Sequence, residues 1–245
     1  LLRHGGYEFD ADEAAALDEW LRSLAEATNS GLHAWTRWAE ANAGGVAGAQ
    51  FHGGFGGENA AAAALERHLT DNHLSWAMAA LLAAAAALED RALAAHVLAG
   101  DPWRDRRAGL RRNPAPLPDV IRRAIEPDGR VYEERIGRRP PIRYALFHLE
   151  AWCLAARISE TRSWAAFWGG ETGAAMLAVF RRYAPYLRGE ARSPLADEVE
   201  VKARWLFALT PAGFGGVART ELMRTAPIPS RMTNAIGPAA LLLGS

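Results

Sequence analysis

Apolar positions along this chain recur at helical spacing almost throughout, and strand-like alternation is nearly absent. Phe9-Asp10-Ala11-Asp12-Glu13 reads as a capping box, with Asp10 at the N-cap and Glu13 three residues on. Leu17, Trp20, Leu21 and Leu24 continue that helix, and Gly31 is expected to end it. A second short helix carries His33, Trp35, Trp38 and Ala41 up to Gly44-Gly45. After the glycine-rich segment 51–57, helix is expected over Glu58–Leu69 and again over Leu74–Leu98. Asp101–Pro118, broken by prolines and rich in arginine, reads as loop plus a short helix. Val120–Ile125 predicts one or two helical turns, and Asp128-Gly129 a tight turn. Ile142–Ile158 is a strongly apolar helix, followed by Ala165–Leu187, interrupted at Gly169-Gly170, and Leu195–Leu209. The pattern predicts one all-α domain over residues 1–245. A plain bundle and antiparallel helix pairs wound into a partial α/α barrel fit it equally, because periodicity does not choose between them.

Composition narrows the function classes. With 245 residues, half of them apolar, the chain can bury a sizeable core. A formal net charge of zero argues against a nucleic-acid or membrane-surface partner selected by bulk charge. The positive charge is almost all arginine, whose planar fork suits carboxylates, since Lys202 is the only lysine. A single cysteine, Cys153, excludes an internal disulfide framework, and no His/Asp/Glu spacing forms a metal ligand set. Neither a cofactor nor a metal is expected. No apolar run suggests a membrane span, and the absence of an initial Met at Leu1 is expected of a processed product or a fragment. The segment 51–57 lacks the Lys-Ser/Thr ending of a phosphate cradle.

Two polar clusters stand out against this apolar background. Thr70-Asp71-Asn72-His73-Leu74-Ser75-Trp76 opens a nearly all-apolar helix. Polar groups at the mouth of a buried helix are costly unless paired or used. Taken alone, Asn72 and His73 read as a helix cap with a first-turn histidine. The second cluster, Asp128 to Tyr144, places arginines just before another buried helix. Alone it reads as a solvated basic loop leading to a core tyrosine. Together they offer an amide, an imidazole, guanidinium groups and a phenol. Arg, Asn and His can hold a carboxylate while Tyr moves a proton, which suits β-elimination beside a carboxylate.

At these residues the chain resembles the alginate (polymannuronate) lyases of the all-α toroid type, the short periplasmic enzymes of alginate-producing bacteria. Their Asn-Asn-His-Ser-Tyr-Trp-Ala segment is matched by Asp71-Asn72-His73-Leu74-Ser75-Trp76-Ala77. Their Gly turn, Glu, basic residues and Tyr-bearing helix are matched by Asp128-Gly129, Glu134, Arg138-Arg139 and Tyr144-Ala145-Leu146-Phe147. Phe9–Leu21 resembles the helix ahead of the catalytic one, and Pro229–Gly237 the terminal segment that carries Arg231.

The resemblance implies an incomplete α/α toroid, with some of the family's opening helices missing, and a periplasmic or secreted monomer. It also implies a metal-independent lyase acting on an anionic β-1,4-linked polyuronate, mannuronan first and glucuronan second. Asn72 and His73 would neutralise the C5 carboxylate, with His73 a candidate base, and Tyr144 would abstract the C5 proton and protonate the leaving oxygen. The family's arginine register falls on Gly137, seven residues before Tyr144, so Arg138 is the nearest candidate, with Arg139 beside it. Asp71 and Ser75 stand where the family has Asn and Tyr, and Ala145-Leu146 where it has His-Asn.

Aromatic faces stack on sugar rings. Trp35, Trp38, Trp76 and Trp103 are the groove candidates, while Trp20, Trp152 and Trp205 are expected in the core. His148 shares a helical face with Tyr144 and is either a groove residue or a buried histidine with one partner. The Arg104–Arg112 cluster is either a solvated face or an attraction for an anionic polymer that weakens with salt. Two other readings remain open. One is a non-catalytic glycan-binding or scaffold protein of exopolysaccharide export. The other is an α/α-barrel glycoside hydrolase drawing a carboxylate pair from Glu58, Glu134 and Glu150.

Overall fold

The computed structural model describes residues 9–42, 70, 72–107, 109–135, 141–187, 206, 210–211 and 214. They are mostly helical and fall into two compact units. One spans Asp10–Ala124; the other spans Ile125–Ser245 together with Leu1–Phe9.

The Asp10–Ala124 unit begins with α1 (Ala11–Asn42). Its start is the expected capping box: Glu13 N–H donates to Asp10 Oδ1 at 2.8 Å, and Asp10 N–H to Glu13 Oε2 at 3.2 Å. Gly31 does not end the helix. A single exposed glycine in a long helix costs about 1 kcal/mol rather than breaking it, and α1 continues unbroken to Asn42. Its inward stripe runs through Ala25, Glu26, Asn29 and Thr36, which leaves Trp20 on the outer flank at 59% exposure. The expectation of a core Trp20 is therefore corrected.

The expected helix over Leu74–Leu98 is two: α2 (Asn72–Leu88) and α3 (Arg91–Ala99). The break comes from Glu89, at φ 56°, and from Asp90, which caps α3 by accepting from Leu93 N–H at 2.9 Å. Gly100 closes α3 in the left-handed conformation at φ 77°. The stretch that follows is a hairpin where loop and short helix were expected. Its strands are β1 (Trp103–Asp105) and β2 (Gly109–Arg111), with Arg104 opposite Leu110. Helix α4 (Leu117–Ala124) buries Leu117, Val120, Ile121 and Ala124 on one face, and α2 packs against α1, α3 and α4.

The second described unit opens with the expected turn at Asp128-Gly129, closed by a bridge between Ile125 and Val131. Gly129 adopts φ 81°, and a Cβ there would stand 2.3 Å from the Ala178 carbonyl oxygen, so only glycine fits. Then come α5 (Tyr132–Arg135), α6 (Pro141–Thr161) and α7 (Gly170–Leu187). Its core gathers Leu146, Leu149, Trp152, Phe167, Met176, Phe180 and Leu206. Phe180 meets the ring of Phe214 edge-on at 5.5 Å. The helices expected over Glu58–Leu69 and Leu195–Leu209 lie outside the described residues, apart from Leu206. Among the described residues no helix is long and apolar enough to cross a membrane.

Candidate active site

The first candidate cluster sits on the opening turn of α2. Successive helix residues are rotated by about 100°, so neighbours in sequence point apart. Asn72 and Ser75 are buried, His73 is exposed and Trp76 is half-buried. Asn72 faces the protein while His73 faces outward, two different environments for a pair read together in the sequence. Asp71 lies outside the described residues.

The second cluster sits on α6. Tyr144 is half-buried near its start, followed at once by the buried Ala145 and Leu146. His148, one turn on, has no exposed surface, and its ring packs against Trp152, tilted by 36° with 4.8 Å between centroids. Glu150 is also buried, at 1% exposure. Burial raises the Cys153 thiol far above its ordinary range, with the charge of Glu150 adding to it, so this cysteine is no nucleophile. Asn72 and His73 belong to one compact unit, and Tyr144 and His148 to the other. Arg138, Arg139 and Arg231 lie outside the described residues, as do the side chains of Trp35 and Trp38. Trp103, expected in a groove, is buried at 4%, and its indole N–H donates to Asp90 Oδ2 at 3.4 Å.

Two polar assemblies were not anticipated. In the Ile125–Ser245 unit, Arg182 of α7 donates to Glu134 Oε1 at 2.7 Å, and the Tyr183 hydroxyl donates to Oε2 at 3.2 Å. Burial, reinforced by the Glu134 charge, raises Tyr183 far above an ordinary tyrosine, so it stays a phenol donor. Glu134 thus holds an arginine and a tyrosine at once.

In the Asp10–Ala124 unit a buried chain of polar groups crosses from α1 to α3 and β1. The Asn29 amide nitrogen donates to Asp105 Oδ2 at 2.6 Å, and Asn29 Oδ1 lies 3.0 Å from His96 Nε2. His96 Nδ1 donates to the Asp101 carbonyl at 2.7 Å. Burial holds His96 below the ordinary histidine range, against the opposing pull of the Asp101 carbonyl and the Asp105 charge. His33, with its ring 6.2 Å from that of His96, is held low by burial and then by His96. It lines a small pocket with Asn29, Thr36, Leu74, Met78 and Asn113, roomy enough for about one water. Among the described residues no group of three or more His, Cys, Asp or Glu side chains could hold a metal ion.

The geometry divides these groups by use. The Asn29–His96–Asp105 chain joins its own members and fastens three elements together. His73 and Tyr144, exposed and half-buried, retain surface that a ligand can reach. A family model described as alginate lyase matches residues 56–193, a span that contains both candidate clusters. No curated protein and no solved structure matches the chain.

Proposed function

The chain belongs to the alginate lyase family, and from that membership we propose a polysaccharide lyase that cleaves a β-1,4-linked polyuronate by β-elimination. The observation that carries the proposal is the family match over residues 56–193, which spans both the Asn72-His73 and the Tyr144 segments. Mannuronan is the first substrate and glucuronan the second.

In the proposed reaction Asn72 and His73 engage the carboxylate on C5, so that charge building on its oxygens meets hydrogen-bond donors. Tyr144 takes the C5 proton. The C5–H electron pair becomes the C4–C5 double bond, the C4–O bond breaks, and the departing oxygen receives a proton from the same phenol. A cation beside the phenol lowers the cost of its ionised form, the role given to Arg138, with Arg139 as a further carboxylate contact. Arg231, Trp35, Trp38, Trp76 and His148 complete the proposed substrate contacts, although for His148 the enclosed setting favours support of α6. The proposal includes an incomplete α/α toroid and a monomer working in the periplasm or outside the cell.

The test is a panel of polymannuronate, polyguluronate, glucuronan and polygalacturonate, followed in the ultraviolet band of unsaturated uronates. A rise on one or more substrates is expected. Silence on every member, from folded protein, overturns the lyase reading. A second reading, glycan binding without turnover, is favoured by Gly137 standing at the arginine register; binding with no unsaturated product decides for it.

A further inference from the structure

The β1–β2 hairpin and the residue that follows it carry Arg104, Arg106, Arg107, Arg111 and Arg112 within nine positions of a chain whose formal net charge is zero. These arginines are not equivalent. Arg106 Nε donates to both carboxylate oxygens of Glu26 at 2.9 Å, and its Nη1 donates to Glu19 at 2.8 Å. That clamp ties the hairpin to α1. Arg104, Arg107 and Arg112 are exposed and have no carboxylate partner among the described residues.

The hairpin is held from beneath by its inward residues. Trp103 and Asp105 are buried, and Asp105 is tied to Asn29. Arg104 and Leu110 pair across the strands and so share one face, where Leu110 is 58% exposed. A large apolar side chain left in water beside an arginine suits the mixed surface of a sugar ring bearing a carboxylate. A hairpin already ordered by its anchors gives up little conformational entropy when it binds.

We propose that the outer face of this hairpin, through Arg104, Arg107 and Arg112 with Leu110 beside them, is an accessory contact surface for an anionic polysaccharide. The surface is built from residues other than Asn72, His73 and Tyr144, and the choice of a polyuronate as partner rests on the proposed function. Charge complementarity selects the ligand: a polyuronate repeats one carboxylate per sugar, and each arginine fork can bond such a group. Exposed pairs of this kind weaken with salt.

The experiment is affinity electrophoresis of the full chain carrying Tyr144→Phe, which keeps the gel matrix intact, through polymannuronate at several salt concentrations. Two further forms are compared with it, an Arg104→Gln/Arg107→Gln/Arg112→Gln triple variant and an Arg122→Gln/Arg123→Gln double variant on α4. Circular dichroism melts establish that each is folded. The triple variant should bind about ten-fold more weakly at low salt and lose part of its salt dependence, while the double variant binds as the parent does. Equal losses in both variants would mean bulk charge alone and overturn the proposal. So would unchanged binding by the triple variant, no retardation of the parent by polyuronate, or equal retardation by single-stranded DNA. The ultraviolet assay separates the two readings. Hairpin-dependent retardation with no unsaturated product from the native chain removes the lyase and keeps the hairpin surface. Product without hairpin-dependent binding does the reverse.

Discussion

Helices α2 and α6 are both apolar and both carry polar residues in their first turn, yet they distribute polarity differently. In α2, Asn72, His73 and Ser75 crowd the first turn, and from Trp76 to Leu88 the helix is apolar. In α6, polar groups continue inward: His148, Glu150 and Ser159 are all buried along its length. A helix with polarity at one end packs through its body, and at that end of α2 the exposed His73 is left available for chemistry while Asn72 and Ser75 are buried. A helix with polarity along its core has side chains whose replacement disturbs packing as well as chemistry. On α6 the half-buried Tyr144 near the start resembles the α2 situation, and this separates it from His148.

The largest expected effect tests that separation. Tyr144→Phe should lower turnover on the responsive polyuronate by about 10³-fold, equivalent to about 4 kcal/mol of barrier. Its melting temperature should stay within about 2 °C of the native chain, since only a hydroxyl on a half-buried ring is removed. Full turnover in the variant would take α6 out of the chemistry. A large drop in melting temperature would place Tyr144 with His148 as a packing residue.

The body and mouth of α2 should respond in opposite ways. Leu82 is fully buried, so Leu82→Ala should cost about 3 kcal/mol in urea unfolding. His73→Ala, at an exposed position, should cost under about 0.5 kcal/mol of stability while lowering turnover by about 10²-fold. If His73→Ala destabilises as much as Leu82→Ala, the polar mouth is structural and the contrast between the two ends of α2 disappears.

How far these features could be read from sequence depended on how local their causes are. The capping box at Asp10 and Glu13, the turn at Asp128-Gly129 and the long apolar α6 are set by residues within a few positions of one another, and all were legible. The break between α2 and α3 was not, because the apolar pattern runs across Glu89-Asp90 and one aspartate cap outweighs it. The hairpin escaped notice because three-residue strands are too short to show alternation. In the Asn29–His96–Asp105 chain, Asn29 lies 67 positions from His96 and 76 from Asp105, so no window contains the pattern. Asn72, His73 and Tyr144 stood out because order and context matched a family, whereas Arg182 at Glu134 had no such cue.

That long-range chain supplies the next prediction. Asn29→Ala removes one donor to Asp105, which keeps the Arg107 N–H at 2.9 Å, and leaves Asp105 Oδ2 and His96 Nε2 buried without the Asn29 amide. Unpaired buried polar groups cost about 1–3 kcal/mol, so the variant should lose about 2 kcal/mol. Stability equal to the native chain would show that the chain of bonds contributes nothing to holding β1 against α1 and α3.

The smallest effect is the pH dependence that follows from the same cluster. Burial holds both His33 and His96 below the ordinary histidine value of about 6.5. Asp101 and Asp105 face His96 and oppose the shift, and Arg37 and Arg111 act on His33 in its favour. Between about pH 7 and pH 5 these two histidines therefore bind more protons in the unfolded chain than in the folded one, and their contribution to unfolding free energy rises with pH across that window. Stability belonging to the neutral rings is present above the unfolded value and is lost as the pH falls below it. Urea midpoints at pH 5, 6 and 7 should increase in that order. A His33→Gln variant should show a shallower rise, because one of the two depressed groups is gone. Glu19 and Asp128, whose carboxyls are held low, act in the same direction but through the carboxylate range near pH 4. A midpoint that falls from pH 5 to pH 7 would mean that His96 is held as a cation by Asp105 and the Asp101 carbonyl, making the buried chain an ion pair bridged by Asn29.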